Sequence, residues 1–368
     1  MAETLQRTEL YAWHTNHGGR MVPFAGWEMP LQYEAGAKAE HHATRQAAGL
    51  FDIDHMGQFA VSGPDAETFL NRVMTWNVSR MAENDARYSL MCYEDGGIVD
   101  DVFIYRLPMR WFVVVNAANR KKDLAWMQAQ AAGYKVTLHE VSDETYMLAL
   151  QGPQAIHILQ TLTDMYLRGI DRFTAAEGRI HDINTLISRT GYTGEDGVEL
   201  YFSADHALDM WDAILEAGEP FGLKPVGLAA RDSLRFEPGF ALYGHEIDAH
   251  ITPLEARLSW AVRFEVDFVG RNALLKQKLE GGPDRLLIVF EMVDKGVPRQ
   301  GYQVVYQDHV VGQVVSGMYA PTPDIFAGHA FVPAGLAKPG TEIQIIIRDN
   351  AKKAKIVRRP LYKPAYRD

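Results

Sequence analysis

The sequence has a single cysteine, Cys92, in 368 residues. No intrachain disulfide is possible, which fits a reducing compartment. No apolar run approaches the ~20 residues that a membrane-spanning helix needs. Positive charge is not in excess: 37 Lys and Arg stand against 47 Asp and Glu, for a formal net charge of −10. That balance argues against non-specific nucleic-acid binding and against docking on an anionic membrane. An anionic small molecule would need locally placed Arg or Lys. Compositional bias is also missing, with 47% hydrophobic and 23% charged residues, as in an ordinary globular chain. Residues 1–11 carry acids and show neither an apolar signal core nor an Arg-rich transit pattern. The expectation is a soluble, cytoplasmic protein. A mature mitochondrial form, its leader removed, fits the same facts.

Several chemical motifs are missing too. There is no Gly-x-Ser-x-Gly elbow and no strand-coupled Gly-x-Gly-x-x-Gly, so serine hydrolysis and dinucleotide binding lack motif support. His41 and His42 are adjacent, so on a helix they point apart, and no second Cys/His cluster stands at ligand spacing. No metal is expected.

What is present includes a weak internal repeat. FAVSGPD at 59–65 and LALQGPQ at 148–154 each end a short strand at Gly-Pro and open a helical pattern. Pro suits the start of a helix, where its missing N–H would be unpaired anyway. Later in each copy a strand (111–115, 198–202) precedes a Trp-containing helix (119–133, 204–218) that ends in glycine, a residue suited to a left-handed cap. Between these lie hairpin strands, 86–106 and 184–200. The expectation is an α+β fold with two ferredoxin-like or Greek-key units over 59–133 and 148–218, making a pseudo-twofold body with a cleft. After about residue 280 the pattern changes. A short helix at 272–279 and a Gly-Gly-Pro break lead into short strands near 286–292, 303–306, 310–316, 328–332, 342–347 and 354–358. Their spacing predicts a small antiparallel barrel or sandwich over 281–368, separate from a 1–280 region.

Three strings are candidates for chemistry. In EDGGIVDDVFIY (94–105) a turn enters an apolar strand, and alternation sends Asp100 and Asp101 to opposite faces. One carboxylate then meets the packed side, where it needs a partner or a task; a strand residue pairing with a backbone amide is the plainer alternative. SRTGYTGEDGVEL (188–200) has glycines at 191, 194 and 197, which allow tight turns or close approach to a ligand; an ordinary hairpin fits as well. Arg231, among small residues in GLAARDSLRFE (227–237), suits a bidentate pair with a carboxylate. That carboxylate would belong to a ligand, or to Asp232 or Glu237.

Taken together, the chain resembles the glycine cleavage T-protein (aminomethyltransferase) family from about residue 8 to 365. The strings that carry the resemblance are RMVPFAGWEMP (20–30), GLFD (49–52), HMG (55–57), GGIVDD (96–101), VVNAA (114–118), LQGP (150–153), SRTGYTGEDG (188–197), ARD (230–232) and LYGH (242–245). The resemblance implies a cloverleaf of three subdomains around a channel: two interleaved α+β units and a C-terminal β-barrel. It implies tetrahydrofolate as one-carbon acceptor and the lipoylated H-protein as donor, with a monomeric enzyme. Asp101 matches the family's catalytic aspartate. Glu199 would accept hydrogen bonds from the pterin's amino-pyrimidine edge. Tyr88, Asn116 and Tyr192 would line the pterin, Met56 would pack on it, and Arg231 would hold the glutamate tail. Tyr366 and Arg367 fall where the family's C-terminus contacts folate. The sequence departs from the family pattern at Asp54, Gln58 and Ala229 and in PTPD (321–324). Two other readings are a tetrahydrofolate-dependent demethylase of a small methyl donor and a folate-binding accessory protein.

Overall fold

The structure, a computed structural model, describes residues 4–364. Tyr366 and Arg367 lie outside the described residues.

Two antiparallel sheets form the larger part of the chain. One has five strands in the order Ala86–Cys92, Ile98–Arg106, Trp111–Val115, Gly57–Ser62, Thr137–Glu140. The other has six: Ala175–Ile180, Ile183–Ser188, Gly197–Ser203, Thr145–Gln151, Gly49–Asp52, Lys224–Pro225. Only the last pairing, between Lys224–Pro225 and Gly49–Asp52, is parallel. In both sheets an opening strand leads into a helix (Ala66–Val73, Ala155–Gln160), then a three-stranded meander whose last strand returns beside the first. That is the Greek-key order. The strand directions differ from a split βαβ unit, because Gly57–Ser62 runs antiparallel to Trp111–Val115. The sheets also interleave: Gly49–Asp52 precedes the first unit in sequence but is built into the second unit's sheet.

The Gly-Pro strings turn each opening strand into its helix. Gly63 and Gly152 have φ of +111° and +131°, and a Cβ at either would come within 2.5 Å of Lys135 O or 2.6 Å of Thr44 O. Only glycine fits there. The helices then place Phe69, Leu70 and Val73, or Ile158 and Leu159, against their sheets. Strand Ala175–Ile180, among others, has no counterpart in the sequence reading. Its AAEGRI sequence lacks β-branched and aromatic residues until Ile180. Its hairpin turn is made by His181 and Asp182 at positive φ, without the usual Asn-Gly signal. The glycine-rich string at 189–196 is an irregular loop rather than a tight hairpin.

Strand alternation then decides the packing. Outer-face residues such as Val113 and Val115, or Leu148 and Leu150, join the helices. Inner-face residues (Tyr105, Phe112, Val114, Met147, Ala149, Tyr201) meet in one cluster between the two sheets. The units are therefore face to face, with helices on both outer surfaces.

The C-terminal strands close a six-stranded antiparallel barrel that begins at Arg285. Two buried polar networks tie it to the sheets. Arg235, on helix Leu228–Phe236, pairs at 2.8 Å with Glu246, which also accepts from barrel residue His329 at 2.7 Å. Arg45 pairs with Glu237 at 2.9 Å and Glu195 at 3.0 Å, while Thr322 and Tyr362 donate to the same two acids. Such charges stay buried only because each is paired. Among the described residues no helix is long and apolar enough to cross a membrane.

Candidate functional site

Asp101 alternates with Phe103 and Tyr105 on strand Ile98–Arg106, so it faces the space between the sheets. Glu199 alternates with Tyr201 on strand Gly197–Ser203 and faces the same space from the opposite wall. Asp100 falls on the other side of its strand with Val102 and Ile104, under the helices, and is fully buried. The expected split of the two aspartates is what the structure has.

Asp101 accepts hydrogen bonds from Asn116 Nδ2 at 2.7 Å and Tyr88 Oη at 3.2 Å. Burial and the neighbouring Asp100 charge push its carboxyl up to about 7, against the pull of those donors. A carboxyl raised in this way takes up a proton closer to neutrality than a free aspartate does. Tyr88 is stacked 5.2 Å from Trp260, which is 55% exposed.

Glu199 is buried and accepts from Thr190 Oγ1 at 2.5 Å. Thr190 also contacts Ser188 at 2.8 Å, and Tyr105 meets Tyr201 at 3.0 Å. Burial raises the Glu199 carboxyl, while Thr190 and the nearby Arg231 hold it down. A carboxylate held by one hydroxyl retains acceptor capacity for a ligand.

Arg231 stands in the first turn of helix Leu228–Phe236, with its guanidinium 4.9 Å over the Tyr192 ring. Neither nearby acid takes it: Asp232 pairs with Arg235, and Glu237 with Arg45. Among the described residues Arg231 makes no ion pair. Buried His55 lies close enough for the Arg231 charge, after burial itself, to push its imidazole down to about 3, so the ring is neutral. Met56 packs at the edge of the inter-sheet cluster. Tyr192 donates to Ala241 O, which ties the glycine-rich loop to the segment before the barrel.

Met56, Tyr88, Asp101, Asn116, Tyr192 and Arg231 are all partly exposed, neither core nor open surface. That is the burial expected of a channel lining. Sequence reasoning missed Thr190 and Tyr201, which set the surroundings of Glu199, and Asn119, which donates to Asp100. Tyr201 was within reach, since it stands two residues from Glu199 on one strand face. The His41–His42 pair is split: His41 is buried against Ser233 and Thr322, and His42 is partly exposed.

Comparison with known proteins supplies the rest. The family profile described as GCVT N-terminal domain matches residues 10–266, and that described as Glycine cleavage T-protein C-terminal barrel domain matches 285–363. The chain is 47% identical to a Symbiobacterium thermophilum aminomethyltransferase, covering 100% of both chains. It is 48% identical to one from Desulforamulus reducens, covering 98% of this chain and 99% of that one. The crystal structure of the glycine cleavage system aminomethyltransferase T from Bartonella henselae superposes with a TM-score of 0.92 at 33% identity, over 98% of this chain and 99% of that one. Opposed acids between two Greek-key sheets, an arginine stacked on Tyr192 beside them and a C-terminal barrel thus occur in a chain that belongs to the glycine cleavage T-protein family.

Proposed function

We propose that this chain is the aminomethyltransferase of a glycine cleavage system, with tetrahydrofolate as acceptor and the lipoylated H-protein as donor. The observation that carries this reading is the pairing of Asp101 and Glu199 across the inter-sheet space, with Arg231 at hand and, among the described residues, without a salt-bridge partner. This donor and acceptor set fits a reduced folate. Glu199 offers a planar acceptor to an amino-pyrimidine edge, and Arg231 offers a planar donor to a glutamate carboxylate. A local cation also explains how a chain of net charge −10 receives an acidic ligand.

In the reaction the C–S bond and the C–N bond of the aminomethyl-lipoyl group both break, the carbon becomes bonded to both folate nitrogens, and ammonia and a lipoyl thiol leave. The two protons released by the folate nitrogens end on the amine and on the sulfur. Asp101, whose carboxyl is raised toward neutrality, is placed to orient the attacking nitrogen, hold its proton and stabilise developing positive charge. Tyr88 and Asn116 fix the Asp101 carboxylate, and Tyr192 and Met56 provide apolar surface for the ring system. We place this activity in the cytoplasm, in a monomer that docks the H-protein.

The test is turnover. Purified protein, given aminomethyl-loaded H-protein and tetrahydrofolate, should release ammonia only when the folate is present. No folate-dependent ammonia would remove the reading and leave a folate-dependent demethylase as the next to assay.

A further inference from the structure

Behind Asp101, on the helix-covered face of the same strand, lies a second acid that the proposed reaction does not use. Asp123 stands in the first turn of helix Arg120–Gln130 and is fully buried. Neither of its oxygens has a hydrogen-bond partner. The nearest cation, Lys122, is 3.7 Å away and donates to Val99 O. A buried carboxylate without donors is strongly disfavoured as an anion and keeps its proton instead. Asp100 is the opposite case. Its Oδ1 accepts from Asn116 Nδ2 at 2.9 Å and Asn119 Nδ2 at 2.6 Å, and its Oδ2 from the Asn116 backbone N–H at 3.0 Å.

The same Asn116 amide reaches around the strand to Asp101 Oδ1 at 2.7 Å. One side-chain nitrogen therefore joins two carboxylates that alternation sends to opposite faces.

We infer that Asp123 is held as a neutral carboxylic acid behind the site, and that Asp100 acts through Asn116 as a positioning residue for Asp101. Asp100 fixes the turn carrying Asn116 and Asn119, and that turn fixes the Asp101 carboxylate. Its single negative charge also raises the proton affinity of Asp101, while the neutral state of Asp123 keeps a second charge out of the site. Burial and the Asp100 charge both push the Asp123 carboxyl up, in agreement with the geometry.

The other titratable groups facing the cluster are few. Tyr88 donates to Asp101 from strand Ala86–Cys92, and Tyr192 faces it from the glycine-rich loop. Arg231 lies beyond Tyr192. Tyr93 and Tyr243 lie near Asp100 and Asp123, and both phenols are pushed up by burial first and by those acids among the nearby charges. Lys122 is over the Tyr243 ring at 4.1 Å. Among the described residues no group of three His, Cys, Asp or Glu side chains is arranged to hold a metal ion.

The inference rests on the proposed role of Asp101, and two measurements keep the two ideas separable. The first is infrared spectroscopy of the folded protein at neutral pH, without turnover. A protonated carboxylic-acid carbonyl band should be present in the wild type and missing in Asp123→Asn. A band that survives in Asp123→Asn, or that is absent from the wild type, overturns the neutral Asp123 whatever the protein catalyses. The second is the pH profile of kcat/KM for Asp100→Asn. Loss of the Asp100 charge should move the acid limb to lower pH by roughly half a unit or more. It should lower kcat by about tenfold, with KM for tetrahydrofolate changed less than about twofold. An unmoved limb with unchanged kcat overturns the positioning role while leaving Asp101 itself in place.

Discussion

The Arg231 guanidinium lies 4.9 Å above the Tyr192 ring and, among the described residues, pairs with no carboxylate. The two acids that sequence proximity offered it are committed elsewhere, one to Arg235 and one to Arg45. An arginine kept partly exposed in this way is available to an anionic ligand. Charge-assisted hydrogen bonds contribute about 1.5–3 kcal/mol. Arg231→Ala should weaken tetrahydrofolate binding roughly 10- to 150-fold by titration calorimetry, with little loss of stability. Arg231→Lys keeps the charge but not the planar fork, so it should fall between. Unchanged affinity in Arg231→Ala would mean that the residue has only a structural task.

Arg45 is the reverse case. It holds Glu237 and Glu195, donates to Thr193 O at 2.7 Å and Leu234 O at 3.1 Å, and lies over the Tyr362 ring. Truncation leaves Glu237 buried with one charged partner fewer. Arg45→Ala should destabilise the fold by about 3–5 kcal/mol in urea denaturation. A loss below about 1 kcal/mol would contradict the reading of this network as the anchor between sheets and barrel.

Asp54 gives a pH-dependent stability. Burial, and then the charge of Asp52, pushes its carboxyl from 3.8 up to about 8. The folded chain thus holds this proton more tightly than the unfolded chain through that interval. The group's contribution to stability is full below the unfolded value and is lost as pH rises through the folded one. Asp54→Asn keeps an acceptor for the Met147 N–H, which lies 3.1 Å from Asp54 Oδ1. It should gain roughly 1–3 kcal/mol over wild type at pH 8 and little at pH 4. Denaturation curves at the two pH values test this, and an equal effect at both would refute it.

Much of this architecture was legible in the sequence, because alternation and turn chemistry are local. The barrel strands, the Gly-Pro turns and the two Trp-containing helices follow from residues that read the same way alone as in the fold. Strand Ala175–Ile180 was not legible: its small and polar residues carry no β signal, and neighbouring strands hold it in place. The direction of Gly57–Ser62 against Trp111–Val115 depends on long-range pairing that no local pattern encodes. At the site, alternation alone separated Asp100 from Asp101. It did not reveal that Asn116 reaches both, or that the acids beside Arg231 are taken by other arginines. Those facts depend on which side chains meet across 15 to 192 residues of sequence, which only the folded chain decides.

The most direct measurement concerns Asp101. Asp101→Asn retains side-chain volume and a carbonyl acceptor for Tyr88 Oη, but no longer ionises. With aminomethyl-loaded H-protein and saturating tetrahydrofolate, its folate-dependent ammonia release should fall by roughly two to four orders of magnitude. Folate affinity and the denaturation midpoint should stay near those of the wild type. Turnover within about twofold of wild type, in a variant shown to be folded, would contradict Asp101 as the proton-handling group of the reaction.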